Sequence, residues 1–160
     1  MNPTMKAYQH PNAGFTLSLP EGWETATDVA GVALIAVAPD RGAGWFRTNL
    51  VVTLEQLATP DLTTWQEEAL ALMRYGLNEF LLVDVEEIEV AGYRARRLVA
   101  HHRPETDGHA ASVTMEQRTL VVGRLGYTLT ASMASLEYPE VADMFAAMVA
   151  DFRPDPEFGQ

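Results

Sequence analysis

The sequence predicts an α+β domain in which two main helices accompany an antiparallel sheet of about six or seven strands. Two segments carry apolar residues at spacings of three and four, which is typical of amphipathic helices. About seven shorter segments alternate in polarity or form short apolar runs between turn residues, which is typical of strands. Because most strands follow one another through tight turns and do not alternate with helices, the pattern argues against a Rossmann-type fold.

The composition is that of a globular domain with an acidic balance. Of the 160 residues, 48% are hydrophobic and 21% are charged, and the formal net charge is −11. The chain has no cysteine, which excludes a disulfide framework, a thiolate zinc site and a cysteine nucleophile. Nucleic acids and anionic membranes would repel an acidic surface, so the charge argues against both as partners. We therefore expect one domain over residues 1–160 that binds no nucleic acid and does not insert into a membrane.

Three strands are expected before the first helix. The first, Phe15–Leu19, alternates apolar and small polar residues and ends at a Pro-Glu-Gly turn. The second, Val32–Val37, is a short apolar run. The third, Thr48–Leu57, directs Leu50 and Val52 toward one face, which predicts a half-buried strand.

The first helix is expected to run from about Pro60 to Phe80. Thr59 would cap its N terminus, and Pro60 would take the first helical position, where the missing N–H of proline costs nothing. The expected apolar stripe consists of Leu62, Trp65, Ala69, Met73, Leu77 and Phe80. This stripe predicts that the helix packs on a face of the sheet.

Four strands are expected after this helix, namely Leu81–Val90, Tyr93–His102, Ala110–Val122 and Leu125–Ser135. Ala91–Gly92 and Gly123–Arg124 would form the tight turns of two hairpins. The neighbouring Glu86 and Glu87 interrupt the alternation of the first of these strands, which indicates a β-bulge there.

A closing helix is expected from about Pro139 to Phe152, with prolines 154 and 156 ending it. Its apolar face consists of Val141, Met144, Phe145, Met148, Val149 and Phe152. An acidic tail over residues 154–160 follows the helix.

The first dozen residues carry one lysine and no apolar core, which is unlike a secretory signal. No apolar run approaches the roughly 20 residues that cross a bilayer. On these grounds we expect a cytoplasmic protein.

No familiar catalytic or cofactor motif occurs in the chain. The motifs G-x-S-x-G, G-x-x-x-x-G-K-[ST] and H-E-x-x-H and the EF-hand loop are all missing from the sequence. The Gly42–Gly44 loop lacks the third glycine and the lysine of a phosphate-binding loop. We therefore expect no catalytic residues, no cofactor and no bound metal.

Three of the four histidines, His101, His102 and His109, fall close together around a polar loop that also contains Glu105 and Asp107. Imidazole and carboxylate groups are suitable ligands for zinc and similar divalent ions. However, adjacent residues of a strand point to opposite faces, so His101 and His102 cannot both bind one ion while extended. A solvated hairpin loop is therefore the favoured interpretation of this segment.

Six of the eleven basic residues are the arginines Arg94, Arg96, Arg97, Arg103, Arg118 and Arg124. They could form a surface for an anion or an acidic peptide. Cross-strand ion pairs with Glu86, Glu87, Glu89 and Glu116 would explain the same residues. The ion-pair interpretation is favoured, and both remain open at this point.

Trp45 and Phe46 follow a glycine-rich loop and precede Arg47. Exposed aromatic residues beside arginine are typical of protein contact sites. The alternative is that one of the two folds back over the edge of the core.

Five short motifs occur in a recognisable order. They are Gly14–Trp23 (F-x-x-x-x-P-x-x-W), the third strand Thr48–Thr53, the hairpin Val90–Ala95 (V-x-G-x-x-A), the penultimate strand Gly126–Ala131, and the closing helix Met144–Arg153. Together they resemble the PsbP/DcrB/LpqN-like superfamily over about residues 8–153, with Asp151 where the family has serine.

The resemblance implies an α/β/α sandwich around a strongly twisted antiparallel sheet. Members of the superfamily are generally not enzymes; they include photosystem-associated subunits, actinobacterial envelope lipoproteins and cytoplasmic adaptor-chaperones for secretion effectors. The present chain lacks the cysteine of the lipoproteins. The resemblance therefore implies a cytoplasmic adaptor or chaperone that binds another protein, with self-association as a homodimer also open.

The residues expected to contact that partner are Trp45, Phe46, Arg94, Arg96, Arg97 and Arg118. An alternative function is a small-anion or lipid-binding module that uses the four arginines. A less favoured one is a metal-dependent hydrolase that uses His101, His109, Glu105 and Asp107.

Overall fold

The structure, a computed structural model, describes residues 3–104 and 111–158 and contains two antiparallel sheets and two main helices. A seven-stranded sheet has the order β3-β4-β5-β9-β8-β7-β6, and a three-stranded sheet has the order β1-β2-β10. The strands are β1 Met5–Gln9, β2 Phe15–Pro20, β3 Glu24–Val29, β4 Val32–Val37, β5 Asn49–Gln56, β6 Leu81–Val90, β7 Tyr93–His102, β8 Val113–Val122, β9 Leu125–Ala134 and β10 Arg153–Pro154. The helices are α1 Leu62–Gly76 and α2 Tyr138–Ala150, with the 3₁₀ turn Ser135–Glu137 before α2. The predicted α+β class is confirmed.

The large sheet lies between the two helices. Successive side chains of a strand point to opposite faces, and the strands of this sheet place apolar side chains on both faces. On one face, here called the α2 face, Leu50, Leu129 and Leu120 join a core that includes Phe145 and Phe15. The opposite face, here called the α1 face, carries a smaller apolar cluster. That cluster contains Leu98, Ala100 and Met115, with Leu70, Met73, Leu77, Phe80, Leu82 and Val85 packed against it. The sheet is thus the middle layer of a sandwich.

The small sheet packs into the core of the α2 face through aromatic side chains. The rings of Phe15, Tyr127 and Phe152 lie 5.6–6.5 Å apart, centroid to centroid. Phe15 belongs to the small sheet and Tyr127 to the large one, and Phe152 follows α2. These three rings therefore join the two sheets and the closing helix, and offset and edge-to-face contacts between aromatic rings are favourable.

The N terminus of α1 differs from the prediction. Asp61, not Thr59, is the N-cap, and its carboxylate accepts hydrogen bonds from the backbone N–H and the hydroxyl of Thr64. These bonds lower the pKa of Asp61. Pro60 therefore lies before the helix, and the first intrahelical bond starts two residues later than proposed, because a carboxylate is a strong N-cap acceptor.

The C terminus of α1 also comes earlier than predicted. Leu77 is already extended, and its N–H donates to the carbonyl of Met73. Phe80 consequently lies outside the helix, although it still packs with Met73 in the α1-face cluster. The apolar periodicity in the sequence extends past the end of the helix because Leu77 and Phe80, in the following loop, pack against the same cluster as the helix.

Helix α2 is close to its prediction, with Pro139 in its first turn. Val141, Phe145, Met148 and Val149 are buried, and Phe152 is buried just beyond the helix. None of the helices in the described part of the chain is long and apolar enough to span a bilayer.

Strands β1, β3 and β10 were not predicted, and β2 pairs within the small sheet and not with the other predicted strands. All six residues of β3 are exposed, so no apolar alternation marks it in the sequence. Strand β10 has only two residues. Such strands form because a neighbouring strand offers backbone hydrogen bonds, which the chain's own hydrophobic pattern does not encode.

The bulge in β6 lies between Leu82 and Asp84, and its predicted position at Glu86 and Glu87 is wrong. Leu82 and Val85 both pack into the α1-face cluster although they are three residues apart. One inserted residue, Val83, makes this possible because alternate residues point to opposite faces. The predicted hairpin turn at Ala91–Gly92 is present, with positive φ at both residues.

Candidate functional site

One end of the large sheet gathers most of the exposed apolar side chains. The register aligns the start of β6, the end of β7 and the start of β8 there, since Leu81 pairs with His101 and His101 with Thr114. Asn49 at the start of β5 pairs with Ser132 near the end of β9. The antiparallel ladder therefore fixes which loops share this end.

Helix α1 runs toward the same end. Near its start, the indole N–H of Trp65 donates to Glu55 at 3.0 Å, near the opposite end of the sheet. Just after the helix, the side chain of Asn78 donates to the carbonyl of Arg103 at 3.1 Å. The last turns of α1 are therefore tied to the end at which β7 finishes.

Seven large apolar side chains are exposed within the described ranges 3–104 and 111–158. Six of them lie at this end of the large sheet, and the surface that they form is here called the apolar end. They are Trp45, Leu72, Tyr75, Leu81, Val83 and Leu136. Tyr75 is 94% exposed and Leu136 is 98% exposed. The seventh, Val29, lies at the opposite end, where β3 turns into β4. The distribution is thus strongly one-sided.

The loop between β4 and β5 holds Trp45 at the apolar end. The guanidinium of Arg41 lies 4.1 Å from the centroid of the Trp45 ring and also forms an ion pair with Glu137. Phe46 is half-buried and lines a cavity of about 220 Å³ with Pro104, Ala111 and Val113. Of the two aromatic residues predicted to contact a partner, Trp45 is therefore the exposed one.

A chain of hydrogen bonds anchors the segment that presents Leu136. The Nδ1 atom of His101 lies 2.7 Å from the hydroxyl oxygen of Thr114, which donates to Ser135 at 2.8 Å. The hydroxyl of Ser135 is also 2.8 Å from that of Ser112. Because Ser135 directly precedes Leu136, these bonds fix the backbone from which that side chain projects.

His101 and His102 point to opposite faces of β7, as predicted. His101 meets Thr114 on the α2 face, whereas His102 lies beside the C terminus of α1, in a cavity of about 480 Å³ with Tyr75 and Leu77. His109, Glu105 and Asp107 lie outside the described residues. In the part of the chain that the structure describes, no three His, Asp or Glu side chains are grouped so that they could hold a metal ion.

Burial lowers the pKa of His102 below its usual value of 6.5. The imidazole is then neutral in the folded chain at pH values at which the unfolded chain already binds a proton. The free energy of unfolding should therefore fall as the pH drops from about 7 through 6.5, and the loss is complete below the folded pKa. Replacing His102 with glutamine should remove this contribution to the pH dependence of the free energy of unfolding.

Urea unfolding of the wild type and of His102→Gln at a series of pH values between about 7 and 5 measures this effect. His101→Gln is the matched control, because it removes the neighbouring imidazole and leaves His102 in place. Equal slopes for the wild type and His102→Gln would contradict the prediction.

The four predicted partner-binding arginines do not form one surface. Arg94 and Arg96 lie on the α1 face, whereas Arg97 and Arg118 lie on the α2 face. Arg94 forms a close ion pair with the exposed Glu87, which lowers the pKa of that carboxyl. The single anion or lipid pocket considered for these four arginines is therefore not assembled.

Arg97 and Arg118 converge on one buried carboxylate. Glu116 is 1% exposed, and its Oε2 accepts from Nε and Nη2 of Arg118 at 3.2 and 2.9 Å. Its Oε1 lies 3.3 Å from Arg97 and accepts from the hydroxyl of Tyr138 at 3.0 Å. Arg118 also lies over the ring of Phe145 at 5.4 Å. The first residue of α2 is thereby tied to the middle of the sheet.

The same charges set the ionisation of this cluster. Burial by itself would lower the pKa of Arg97, but the Glu116 carboxylate raises it above its usual value. Burial raises the pKa of Tyr138, and the charge of Glu116 raises it further. Arg97 also contacts Asp84 and Glu86 at 3.2 Å each. The ion-pair interpretation of the arginines therefore describes Arg94, Arg97 and Arg118.

The apolar end itself was not predicted beyond Trp45. Leu136 is a single apolar residue between polar ones, in the short 3₁₀ turn before α2, and no pattern in the sequence marks it as exposed. Leu72 and Tyr75 lie off the predicted stripe of α1, and this is the one signal that pointed to them.

The fold of this chain is similar to the folds of several solved structures. No family model and no curated protein matches the chain. Mycobacterium tuberculosis LpqN, described as involved in cell envelope biogenesis, is similar with a TM-score of 0.71 and 15% identity, covering 93% of this chain and 89% of LpqN. The PsbP of Synechocystis sp. PCC 6803 has a TM-score of 0.66 and 15% identity over 95% of this chain and 93% of that protein. The Ran-binding protein Mog1p of Saccharomyces cerevisiae has a TM-score of 0.66 and 14% identity over 95% and 96%. The PsbP- and LpqN-like fold inferred from the motifs is confirmed.

Proposed function

We propose that this chain is a non-enzymatic, cytoplasmic adaptor or chaperone-like domain that binds another protein through its apolar end. The observation that carries the proposal is the concentration of exposed apolar side chains at one end of the large sheet. Single exposed apolar residues are common on any surface, but their accumulation at one place is typical of interaction sites.

The gain from covering these side chains is substantial. Burying a leucine side chain fully contributes about 1.5–3 kcal/mol, and tyrosine and tryptophan are enriched among the residues that dominate interfaces. Trp45, Tyr75 and Leu136 would each lose most of their solvent contact against a partner. The Arg41 contacts and the Ser135 hydrogen bonds hold two of them in place beforehand, which reduces the entropy lost on binding.

The similar structures support the proposal in a general way. Mog1p is described as a Ran-binding protein, so a protein with this fold binds another protein. LpqN is described by a biological process, cell envelope biogenesis. None of the three descriptions names an enzymatic reaction.

The test compares apolar residues at the two ends of the sheet. Leu136→Asp places a charge at the apolar end, whereas Val29→Asp makes the same kind of change at the opposite end, where the side chain is 44% exposed. Proteins crosslinked to the tagged wild type in cells of the native host are identified by mass spectrometry. We expect Leu136→Asp to reduce recovery of the specific partner at least about tenfold, since loss of one well-buried leucine is worth about 1.4 kcal/mol or more.

Val29→Asp should retain that partner, and both variants should unfold at the wild-type urea concentration, since both side chains are exposed. Equal recovery with the two variants would contradict the proposal. Fractionation of the same cells tests the cytoplasmic location.

A further inference from the structure

Strand β6 is an open edge of the large sheet. It is ten residues long and pairs with β7 on one side, and no strand in the described ranges pairs with its other side. An uncovered edge of this length presents backbone donors and acceptors that can pair with another strand, and natural proteins often guard such edges with proline or lysine. Strand β6 contains neither; its guards are the bulge between Leu82 and Asp84 and four carboxylates, which repel an acidic strand but attract a basic one.

We propose that β6 receives an extended segment of the partner protein as an added, antiparallel strand, and that this segment carries basic residues followed by apolar ones. The inference rests on the proposed function and names the kind of segment that is bound. Addition of a strand to a sheet edge gains affinity from backbone hydrogen bonds and specificity from the side chains beside them.

The basic part of the segment follows from the charges of β6. After the bulge, the register from Asp84 to Val90 is regular and includes four carboxylates. Asp84 and Glu86 lie on the α2 face, and Glu87 and Glu89 lie on the α1 face. Opposite charges on directly paired residues of neighbouring strands are favourable. A paired segment would therefore gain from lysine or arginine opposite these positions.

The carboxylates are only partly neutralised within the chain. Arg97 contacts Asp84 and Glu86, and Arg94 contacts Glu87. The exposed side chain of Glu89 makes no hydrogen bond or ion pair with any residue in the described ranges. The net charge of −11 would also attract a basic segment over longer distances.

The same charges disfavour a second copy of this chain as the occupant. Antiparallel pairing of two β6 strands with Leu81 opposite Val90, and with the bulged Val83 unpaired, places the Glu86 side chains of the two copies directly opposite each other. Like charges directly opposite each other are destabilising. The acidic edge therefore favours a partner of opposite charge over self-pairing.

The apolar part of the segment follows from the other half of β6. Leu81 and Val83 are exposed and belong to the apolar end. All pairs in the large sheet are antiparallel, and antiparallel ladders are slightly more stable than parallel ones. An antiparallel segment would pass Val90 first and Leu81 last. Its basic residues therefore precede its apolar residues.

The probe is a fluorescent peptide of sequence Val-Lys-Val-Lys-Lys-Val-Lys-Val-Leu, whose lysines would oppose the four carboxylates. Fluorescence anisotropy at low salt measures its binding, and hydrogen exchange measures protection of the β6 amides that face away from β7. We expect binding together with protection of those amides. Glu89→Lys should weaken binding about 3–10-fold, because an attractive pair becomes a repulsive one.

Glu67→Lys is the matched control, since it makes the same charge change on the exposed surface of α1 and should alter binding less than about twofold. A peptide N-methylated at those alternate residues whose N–H groups face β6, which cannot complete the ladder, should not bind. Equal weakening by the two lysine variants, binding of the methylated peptide, or no protection of β6 would each overturn strand addition.

The two proposals fail separately. If Leu136→Asp loses its crosslinked partner while the peptide leaves β6 unprotected, the apolar end binds protein without strand addition. If the peptide protects β6 while Leu136→Asp retains every crosslinked protein, strand addition stands and the apolar end is not the contact site.

Discussion

Replacing Glu116 with alanine is expected to lower the free energy of unfolding by about 3–5 kcal/mol, because removal of one partner from a buried ion pair leaves an uncompensated buried charge. Here Arg118, whose side chain is 17% exposed, would lose its one ion-pair partner among the described residues, and Arg97, 19% exposed, would keep only the exposed Asp84 and Glu86. The hydroxyl of Tyr138 would lose its acceptor as well. Urea unfolding followed by circular dichroism measures the change.

Glu86→Ala provides the matched control. Glu86 contacts the same Arg97 at 3.2 Å, but its side chain is 52% exposed, so its loss should cost about 1 kcal/mol or less. A variant with Arg97→Met, Glu116→Leu and Arg118→Met together should be more stable than Glu116→Ala, because it removes the charges as a set. Equal costs for Glu116→Ala and Glu86→Ala would show that Glu116 does not hold the two arginines as described.

Replacing His10 with leucine is expected to cost about 3 kcal/mol, because it leaves several backbone groups without partners. His10 is 3% exposed, and its Nδ1 accepts from the backbone N–H groups of Asn12 and Ala13 at 2.9 and 2.7 Å. Nδ1 therefore carries no proton, and Nε2 donates to the carbonyl of Ala33 at 2.8 Å. These bonds tie the loop after β1 to β4 of the large sheet.

The control for His10→Leu is Tyr8→Phe on the neighbouring aromatic residue. The rings of Tyr8 and His10 lie 6.4 Å apart, and the buried Tyr8 hydroxyl has no hydrogen-bond partner among the described residues. Its removal should change stability by no more than about 0.5 kcal/mol. Comparable losses for the two variants, measured by urea unfolding, would mean that the imidazole acts by packing and not through its hydrogen bonds.

Sequence patterns predicted the elements whose burial is periodic. Helix α2 was placed almost correctly because Val141, Phe145 and Met148 all turn toward the core at helical spacing. The hairpins at Ala91–Gly92 and Gly123–Arg124 were placed because each turn contains a glycine, Gly92 or Gly123, that can adopt the positive φ of a tight turn. In each case the type of a few residues close together in the sequence determines the local backbone conformation.

The errors arose where distant residues decide the structure. The bulge in β6 depends on Leu82 and Val85 both reaching a cluster that α1 completes. The exposed strand β3 depends on pairing with β4. The ion pairs of Glu116 with arginines were predicted, but its burial and its bond from Tyr138 were not, since nothing in its neighbourhood along the chain indicates either.

The amino-acid sequence by itself determined the α+β class, the positions of most strands, both helices to within a few residues, and the acidic character that argues against nucleic acid. Only the tertiary structure decided that Arg118 shares a face with Arg97, that Glu116 is buried between these two arginines, and that most of the exposed apolar residues share one end of the sheet. The physical reason is that periodicity records whether a residue faces the core, whereas the register between strands decides which residues become neighbours.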